Sequence, residues 1–354
     1  MSIRPALRVL TLLLAVAASA AACSSGSGSG GASKTPGAVA TKPAGGKPSS
    51  GAGSLILSKL TGLVEYSIRS GTEKPLITPS TDNTFLLDPA ISPDGKRIVY
   101  IVQPPPKIDA GKYDAGSDLW VANRDGRDPH AVFTHAQPNQ LVRFPQWQGD
   151  NTILVVVQEI GPKDGVTTVS YVLERIDAAG GARTNVLSDV LSFGLSPDGK
   201  RLAYARLARR TGETLNAVDI GGTNDVTLVG IDENLSPFNV PRYSPDGKKI
   251  AFASADQTGA RAPSPEYVSA ASFGPERGPA LDGLPEDIWT VDAGGGRPVR
   301  VADLKEDLPA LAWGSDGKHI YVLGSAGLYD VNVETGAVDR LGEGAFHGQL
   351  AWAP

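Results

Sequence analysis

Side chains that could act in catalysis or hold a metal are few in this sequence of 354 residues. It contains one cysteine and four histidines, and no two histidines have the spacing of the zinc motifs His-x-His or His-Glu-x-x-His. The Gly-x-Ser-x-Gly motif of serine hydrolases and the Asp-x-Asp-x-Asp-Gly loop of calcium sites do not occur either. Many aspartates instead stand before glycine, where they favour turns. The sequence therefore predicts no catalytic or metal site and no cofactor.

The single cysteine, Cys23, stands where a lipid acceptor is expected. Arg4 and Arg8 precede an apolar run over Val9–Ala18, and small residues occupy positions 19–22. This pattern is typical of an export signal over 1–22, and the apolar run is shorter than the ~20 residues that a transmembrane helix needs. A cysteine directly after the small residues resembles a lipobox, which implies cleavage before Cys23 and lipidation of its thiol. An ordinary secretory signal with an incidental cysteine is the alternative.

The segment after the cysteine, up to residue 53, consists almost entirely of Ser, Gly, Ala, Lys, Thr and Pro. Such a composition cannot bury enough apolar surface to fold, so we expect 23–53 to be a disordered tether. A flexible coil of about 30 residues reaches roughly 30 Å. Removal of the signal takes away two positive charges and changes the formal net charge from −5 to −7. A mildly acidic chain disfavours nucleic acid as a partner.

A nine-residue pattern recurs in the remainder, 54–354. Ser92–Tyr100, Ser196–Tyr204 and Ser244–Phe252 each begin with Ser-Pro-Asp-Gly-Lys, and degenerate copies begin at Gln148 and Gly314. Ser suits the first position of a β-turn, and Pro pre-sets φ at the second. Asp tolerates the third position, and Gly tolerates the strained conformation at the last. An alternating apolar run follows each turn. Each copy therefore predicts a hairpin between two strands.

A second kind of hairpin, in which an apolar strand leads into a glycine turn, occurs six times. The six segments are 63–71, 119–126, 172–180, 215–222, 288–295 and 328–336. Two hairpins make four strands, and radial repetition of four-stranded units predicts a β-propeller. Only five copies of the first hairpin occur, and Leu350–Pro354 reads as the start of a sixth. We predict an all-β propeller of six four-stranded blades, in which the C-terminal strand completes the N-terminal blade. A seventh blade within 256–286 is the alternative.

The Ser-Pro-Asp-Gly-Lys repeat resembles the WD-repeat-like, TolB-type β-propellers of bacterial envelopes. The resemblance covers 54–354 and implies a propeller outside the cytoplasm that joins an envelope complex. The signal and tether are similar to the arrangement in LpqB-type lipoproteins, which carry a propeller and act with a sensor kinase. Both groups have an extra domain before the propeller, which we do not expect here because only the tether precedes Ser54.

Binding residues are expected in four insertions: Gln103–Ser117, Gly161–Thr168, Arg206–Thr214 and Asp256–Glu286. Each falls in the middle hairpin of a blade, so all four are predicted to lie as loops on one face, opposite the short turns, whose own face we expect to be plain. Loops held on a rigid scaffold commonly bind ligands, although merely tolerated insertions are the alternative. Aromatic and arginine side chains are typical interface anchors. The candidate partner-binding residues are Tyr113, Arg206, Arg209, Arg210, Arg261, Tyr267, Phe273 and Arg277.

The leading functional hypothesis is a monomeric, non-enzymatic module that binds an envelope protein. Its lipid at Cys23 would hold it on the outer face of the cytoplasmic membrane, or on the outer membrane of a two-membrane cell. One alternative is an enzyme or small-ligand binder that uses the central channel, for which carboxylates or histidines should face the channel from several blades. Another is a carbohydrate binder on the loop face. Trp120 and Trp289 lie in predicted strands and are expected to pack between blades instead.

Overall fold

The computed structural model describes residues 53–109, 112–163, 166–208, 212–258, 284–343 and 348–353. Strands dominate these residues, and a short 3-10 helix spans Ile231–Glu233. No helix in the described ranges is long and apolar enough to cross a membrane.

The strands form six four-stranded sheets, numbered here as blades 1 to 6. Blade 1 contains β1 (Ser54–Lys59), β2 (Gly62–Ser67) and β3 (Thr72–Ile77). Blade 2 contains β4 (Phe85–Ile91) and β5 (Arg97–Gln103), then an inserted small hairpin of β6 (Lys107–Asp109) and β7 (Lys112–Asp114), then β8 (Asp118–Asn123) and β9 (His130–Phe133). Blade 3 contains β10 (Leu141–Trp147), β11 (Thr152–Lys163), β12 (Val166–Asp177) and β13 (Arg183–Ser188).

Blades 4 to 6 continue the same order. Blade 4 contains β14 (Ser192–Leu195), β15 (Arg201–Ala208), β16 (Gly212–Asp219) and β17 (Val226–Val229). Blade 5 contains β18 (Asn239–Tyr243), β19 (Lys249–Ser254), β20 (Glu286–Asp292) and β21 (Val299–Glu306). Blade 6 contains β22 (Ala310–Trp313), β23 (His319–Leu323), β24 (Gly327–Asn332) and β25 (Val338–Glu343). The last strand is β26 (Leu350–Ala353).

The ring is closed by strands that are distant in sequence. β26 pairs antiparallel with β1, with Leu350 opposite Leu57 and Ala353 opposite Ser54, and so supplies the innermost strand of blade 1. The innermost strands of neighbouring blades contact one another all the way around the ring. The six-bladed propeller and its closure by the C-terminal strand are therefore confirmed.

Each Ser-Pro-Asp-Gly turn is held by the same side-chain hydrogen bonds. In blade 5, Ser244 Oγ donates to Asp246 Oδ1 at 2.7 Å and accepts the amide of Lys249 at 3.0 Å. The Asp246 carboxylate also accepts the amide of Lys248 at 3.1 Å, and Gly247 has a φ of +71°. The repeats at Ser92 and Ser196 form the same bonds. The aspartates of the repeat are therefore turn residues, as predicted.

Buried aromatic side chains just before the turns join adjacent blades. Trp147 Nε1 donates to the carbonyl of Ala90 in the preceding blade at 3.0 Å. Trp313 Nε1 donates in the same way to the carbonyl of Arg242 at 3.0 Å. Trp120 and Trp289 are half-buried and pack against apolar clusters that span two blades, as the sequence predicted. The core thus consists of apolar layers between blades, and it fixes each blade relative to the next.

Candidate functional site

The ring has two faces that differ in the connections they carry. The turns between the first and second strands and between the third and fourth strands of each blade lie on one face, called here the turn face. The middle hairpins and the links from one blade to the next lie on the opposite face, called here the insertion face. This separation follows from antiparallel pairing, because successive connections of a meander alternate between its two ends.

In two of the four predicted loops the strands of the middle hairpin continue as paired ladders, which corrects the expectation that these segments are loops. The ladder of β11 and β12 runs through Glu159 opposite Ser170 and ends at Lys163 and Val166. The ladder of β15 and β16 likewise includes Arg206 opposite Thr214. Continued pairing satisfies backbone donors and acceptors that a loop would leave to water. The insertion after β5 contains the hairpin of β6 and β7, and most of the insertion in blade 5 lies outside the described residues.

Two of the candidate partner-binding residues can be placed. Tyr113 lies in β7 of blade 2, half-buried, and its carbonyl accepts a hydrogen bond from Asn139 Nδ2 at 3.2 Å. Arg206 lies in blade 4, where its Nη1 is 3.0 Å from Asp225 Oδ2 and its guanidinium stands 4.9 Å from the ring centre of Tyr204. The charge of Arg206 is therefore already paired within its own blade. The remaining candidates and the lipidation site lie outside the described residues: Cys23, Arg209, Arg210, Arg261, Tyr267, Phe273 and Arg277.

A histidine between two aspartates fixes the base of the β6–β7 hairpin. His135 Nδ1 lies 2.6 Å from Asp118 Oδ1, and its Nε2 lies 3.2 Å from Asp114 Oδ2. Asp114 also accepts the amides of Gly116 and Asn139 at 2.9 and 3.2 Å. Burial lowers the pKa of His135, but hydrogen bonds to the two carboxylates and their charges outweigh it, so the pKa is raised. Both ring nitrogens donate fully only when the imidazole is protonated.

Exposed large apolar side chains concentrate on the insertion face. The described residues include nine such side chains, and six of them lie at this face. The six are Leu60, Ile108, Val169, Leu207, Ile231 and Leu284. Ile108, at the β6–β7 hairpin, is 78% exposed. The other three, Val226, Val299 and Val338, stand at the starts of outermost strands, beside the turn face. Single exposed apolar residues are common, so what distinguishes these six is that they share one face of the ring.

The innermost strands are bulged beside the central channel. The pairing of β4, β10 and β18 with their neighbours shifts register at Asp88, Phe144 and Val240, each of which has a positive φ of 42° to 55°. Asp88 is buried, and its carboxylate accepts the amides of Phe144 at 3.1 Å and Gln349 at 3.0 Å. Burial raises the pKa of Asp88, against the opposing effects of these bonds and of nearby arginines. One carboxylate thus joins blades 1, 2 and 3.

Two arginines accompany Asp88 at the channel. Arg242 Nη1 donates to the carbonyls of Phe193 at 2.9 Å and Pro241 at 3.0 Å. Its Nη2 lies 3.4 Å from Gln349 Oε1, so the side chain extends from blade 5 to blade 1. Arg143 Nε donates to Gln158 Oε1 at 2.9 Å. Sequence reasoning missed this cluster. Asp88 and Arg242 each stand next to a proline of an innermost strand, and this was the available signal.

The sequence analysis predicted a plain turn face, and this prediction was wrong. A groove of about 650 Å³ lies between blades 1 and 2 at this face. Arg124 Nη2 crosses it to Glu65 Oε1 at 2.8 Å and ties the two blades together. The lining residues are Glu65, Lys74, Pro75, Leu76, Gly95, Lys96, Asn123, Arg124, Asp125 and Arg127. Among the described residues, no group of three or more acidic, histidine or cysteine side chains is arranged to hold a metal ion.

Comparison with solved structures identifies the fold. TolB from Acinetobacter baumannii is similar with a TM-score of 0.58 and 16% identity over 87% of this chain and 68% of that one. A putative TolB from Agrobacterium tumefaciens gives a TM-score of 0.54 and 15% identity over 86% and 99% of the two chains. A chain of the nidogen/laminin complex gives 0.57 and 11% identity over 85% and 98%. No family model and no curated protein matches the sequence. The protein therefore has the fold of TolB-like β-propellers.

Proposed function

We propose that the protein is a lipid-anchored scaffold outside the cytoplasmic membrane, which binds another protein of the cell envelope through its insertion face. The observation that supports this most directly is the concentration of six exposed apolar side chains on that face. Apolar side chains surrounded by polar ones are typical of protein docking sites. The anchor rests on Cys23 and the signal-like segment before it.

The rigidity of the insertion face favours a protein partner. The hairpin of β6 and β7 is held by the contacts of His135 with Asp114 and Asp118. The long hairpins of blades 3 and 4 are regular ladders rather than loops. A preorganised surface loses little conformational entropy on association. A propeller of similar fold is found in the nidogen/laminin complex, which is an assembly of two proteins.

The chain enters the ring on the turn face, and this leaves the insertion face available. Ser54, the first residue of β1, lies opposite Ala353 at the end of β26, next to the turn face. β1 then runs to the middle hairpin at Leu60 on the insertion face. The covalent connection to residues before 53 is therefore at the side opposite the proposed docking surface.

Crosslinking in intact cells, followed by pull-down of the full-length protein, tests the docking surface. The double variant Ile108→Asp with Leu207→Asp places two charges among the exposed apolar side chains of the insertion face. We expect it to lose the specific envelope partner, because burying an unpaired carboxylate opposes association. Val299→Asp is the matched control, since Val299 is 59% exposed but stands beside the turn face.

Retention of the partner by Val299→Asp and its loss from the double variant would support the proposal. The same set of crosslinked proteins from all three forms, or none from the wild type, would contradict it. The anchor is tested separately with Cys23→Ser, which we expect to move the protein from the membrane fraction to the soluble fraction. An unchanged membrane fraction would contradict lipid anchoring at Cys23.

A further inference from the structure

Three charged side chains from different blades, Asp88, Arg143 and Arg242, interact at the central channel. The guanidinium groups of Arg143 and Arg242 come from blades 3 and 5, which are separated by blade 4. Asp88 is the carboxylate that acts on both, and its own ionisation is influenced by both arginines. Glu213 is a further buried carboxylate, and it accepts the amide of Phe238.

Asp88 does not form a close ion pair with Arg242. Both carboxylate oxygens of Asp88 accept backbone amides, from Phe144 and Gln349. The contacts of Arg242 are with neutral acceptors, namely the carbonyls of Phe193 and Pro241 and the amide oxygen of Gln349. Desolvation lowers the pKa of Arg242 to about 10, against the favourable charge of Asp88. The interior therefore holds a cation that its protein neighbours compensate only in part.

One edge of the Arg242 guanidinium is available for a ligand. Its Nη1 is occupied by two carbonyls, whereas Nη2 has a single long contact of 3.4 Å. Nε has no acceptor among the described residues. Nε–H and Nη2–H lie side by side on one edge of a guanidinium, and this pair of donors matches the two oxygens of a carboxylate or phosphate.

The cluster is reachable by water. Arg143, Gln146 and Arg242 lie on innermost strands, yet each keeps part of its surface accessible. These side chains are central in the ring and yet partly accessible, because they line the channel that the six blades surround. A polar channel that admits water and presents a partly compensated guanidinium has the properties of a small-anion site.

We propose that the central channel binds a small oxyanion, a carboxylate or a phosphate, through the Nε and Nη2 edge of Arg242. This site is distinct from the docking surface proposed above, since it involves the innermost strands and none of the exposed apolar residues.

Anion titration of the full-length protein tests the site. Acetate and inorganic phosphate are added at constant ionic strength against a chloride background, and binding is followed by calorimetry and by the unfolding midpoint. We expect saturable binding of one anion by the wild type. Arg242→Gln should weaken it by about tenfold or more, as expected for the loss of a charge-assisted bidentate contact. Arg127→Gln is the matched control, because Arg127 is exposed and pairs with Asp125 on the turn face.

Two outcomes of the titration would overturn the proposal. One is equal binding by the wild type and Arg242→Gln, and the other is a wild-type response to acetate and phosphate no larger than that to chloride. A second measurement needs no variant. Phenylglyoxal modifies arginine side chains, and mass spectrometry reports the rate at each one. We expect bound phosphate to slow the modification of Arg242 but not of Arg127, and equal rates with and without phosphate would contradict the site.

Discussion

The turn face repeats one hydrogen-bonded motif around the ring, whereas each middle hairpin on the insertion face has its own length and shape. On the turn face, Ser92, Ser196 and Ser244 each bridge an aspartate and the amide five residues later. On the insertion face, the middle hairpin of blade 1 is a short turn at Leu60, while that of blade 3 extends to Lys163. The repeated motif stabilises the fold, and variation is concentrated where it does not disturb the turns.

The largest expected effect is on the turn face. The triple variant Ser92→Ala, Ser196→Ala and Ser244→Ala removes a donor and an acceptor from three turns. Each loss should cost about 1 kcal/mol of the free energy of unfolding, and the turns share no partners, so the sum is about 3 kcal/mol. Urea denaturation measures it. Ser70→Ala is the control, because its exposed hydroxyl bonds only the nearby hydroxyl of Thr72, while its amide, which donates to Ser67 Oγ, is retained in alanine.

A loss of less than about 1 kcal/mol from the triple variant would mean that the repeated serines do not stabilise the turn face. Partner capture by the same triple variant tests whether the two faces act independently. It should be unchanged under conditions where the ring remains folded, because the docking surface lies on the other face.

An intermediate effect is expected from His135 at the base of the β6–β7 hairpin. Because its folded-state pKa is raised, its stabilising contribution is complete below the unfolded value of about 6.5 and is lost as pH rises through the folded value. His135→Gln should therefore lower stability relative to the wild type at pH 5.5, by at most about 1 kcal/mol for a partly exposed pair. At pH 8.5 the two should differ less.

Unfolding curves at the two pH values measure this difference. His319→Gln is the control on the turn face, where His319 Nδ1 contacts the single carboxylate of Asp316 at 2.7 Å. A stability difference between wild type and His135→Gln that is the same at both pH values would show that the imidazolium does not hold the hairpin.

The smallest effect is expected from the groove on the turn face. Lys96 is 81% exposed, and its Nζ lies 3.7 Å from Asp94 Oδ2. Exposed ion pairs contribute little, so Lys96→Ala should change the free energy of unfolding by less than about 0.5 kcal/mol. Partner capture should also be unaffected. A lost partner would assign binding to the turn face and would reverse the distinction between the two faces.

The fold could be predicted from the sequence because each turn is specified by residues that are close together in the chain. Ser-Pro-Asp-Gly determines a turn through contacts within six residues, as the bonds of Ser244 with Asp246 and Lys249 illustrate. Counting these turns and the glycine hairpins was enough to predict six blades and the role of Leu350–Ala353. The role of the repeat aspartates as turn residues could be predicted from the same residue preferences.

The site could be predicted only in part. The placement of the insertions on one face follows from strand order, but their extension into ladders, as with Arg206 opposite Thr214, depends on pairing that alternating polar residues do not specify. The channel cluster was missed because Asp88, Arg143 and Arg242 are far apart in sequence and meet only when the ring closes. The roles of Arg261, Tyr267 and Phe273 stay predictions.

The position of β1 within blade 1 has a mechanical consequence. β1 is the second strand of its sheet, with hydrogen-bonded ladders to β26 on one side and to β2 on the other. A force applied through the chain before Ser54 pulls along the strand, while the ladder bonds run across it. Both ladders then resist in shear, and their bonds must break together rather than one after another. An edge strand would offer one ladder only, so this ring is joined to the preceding chain at a point suited to bear tension.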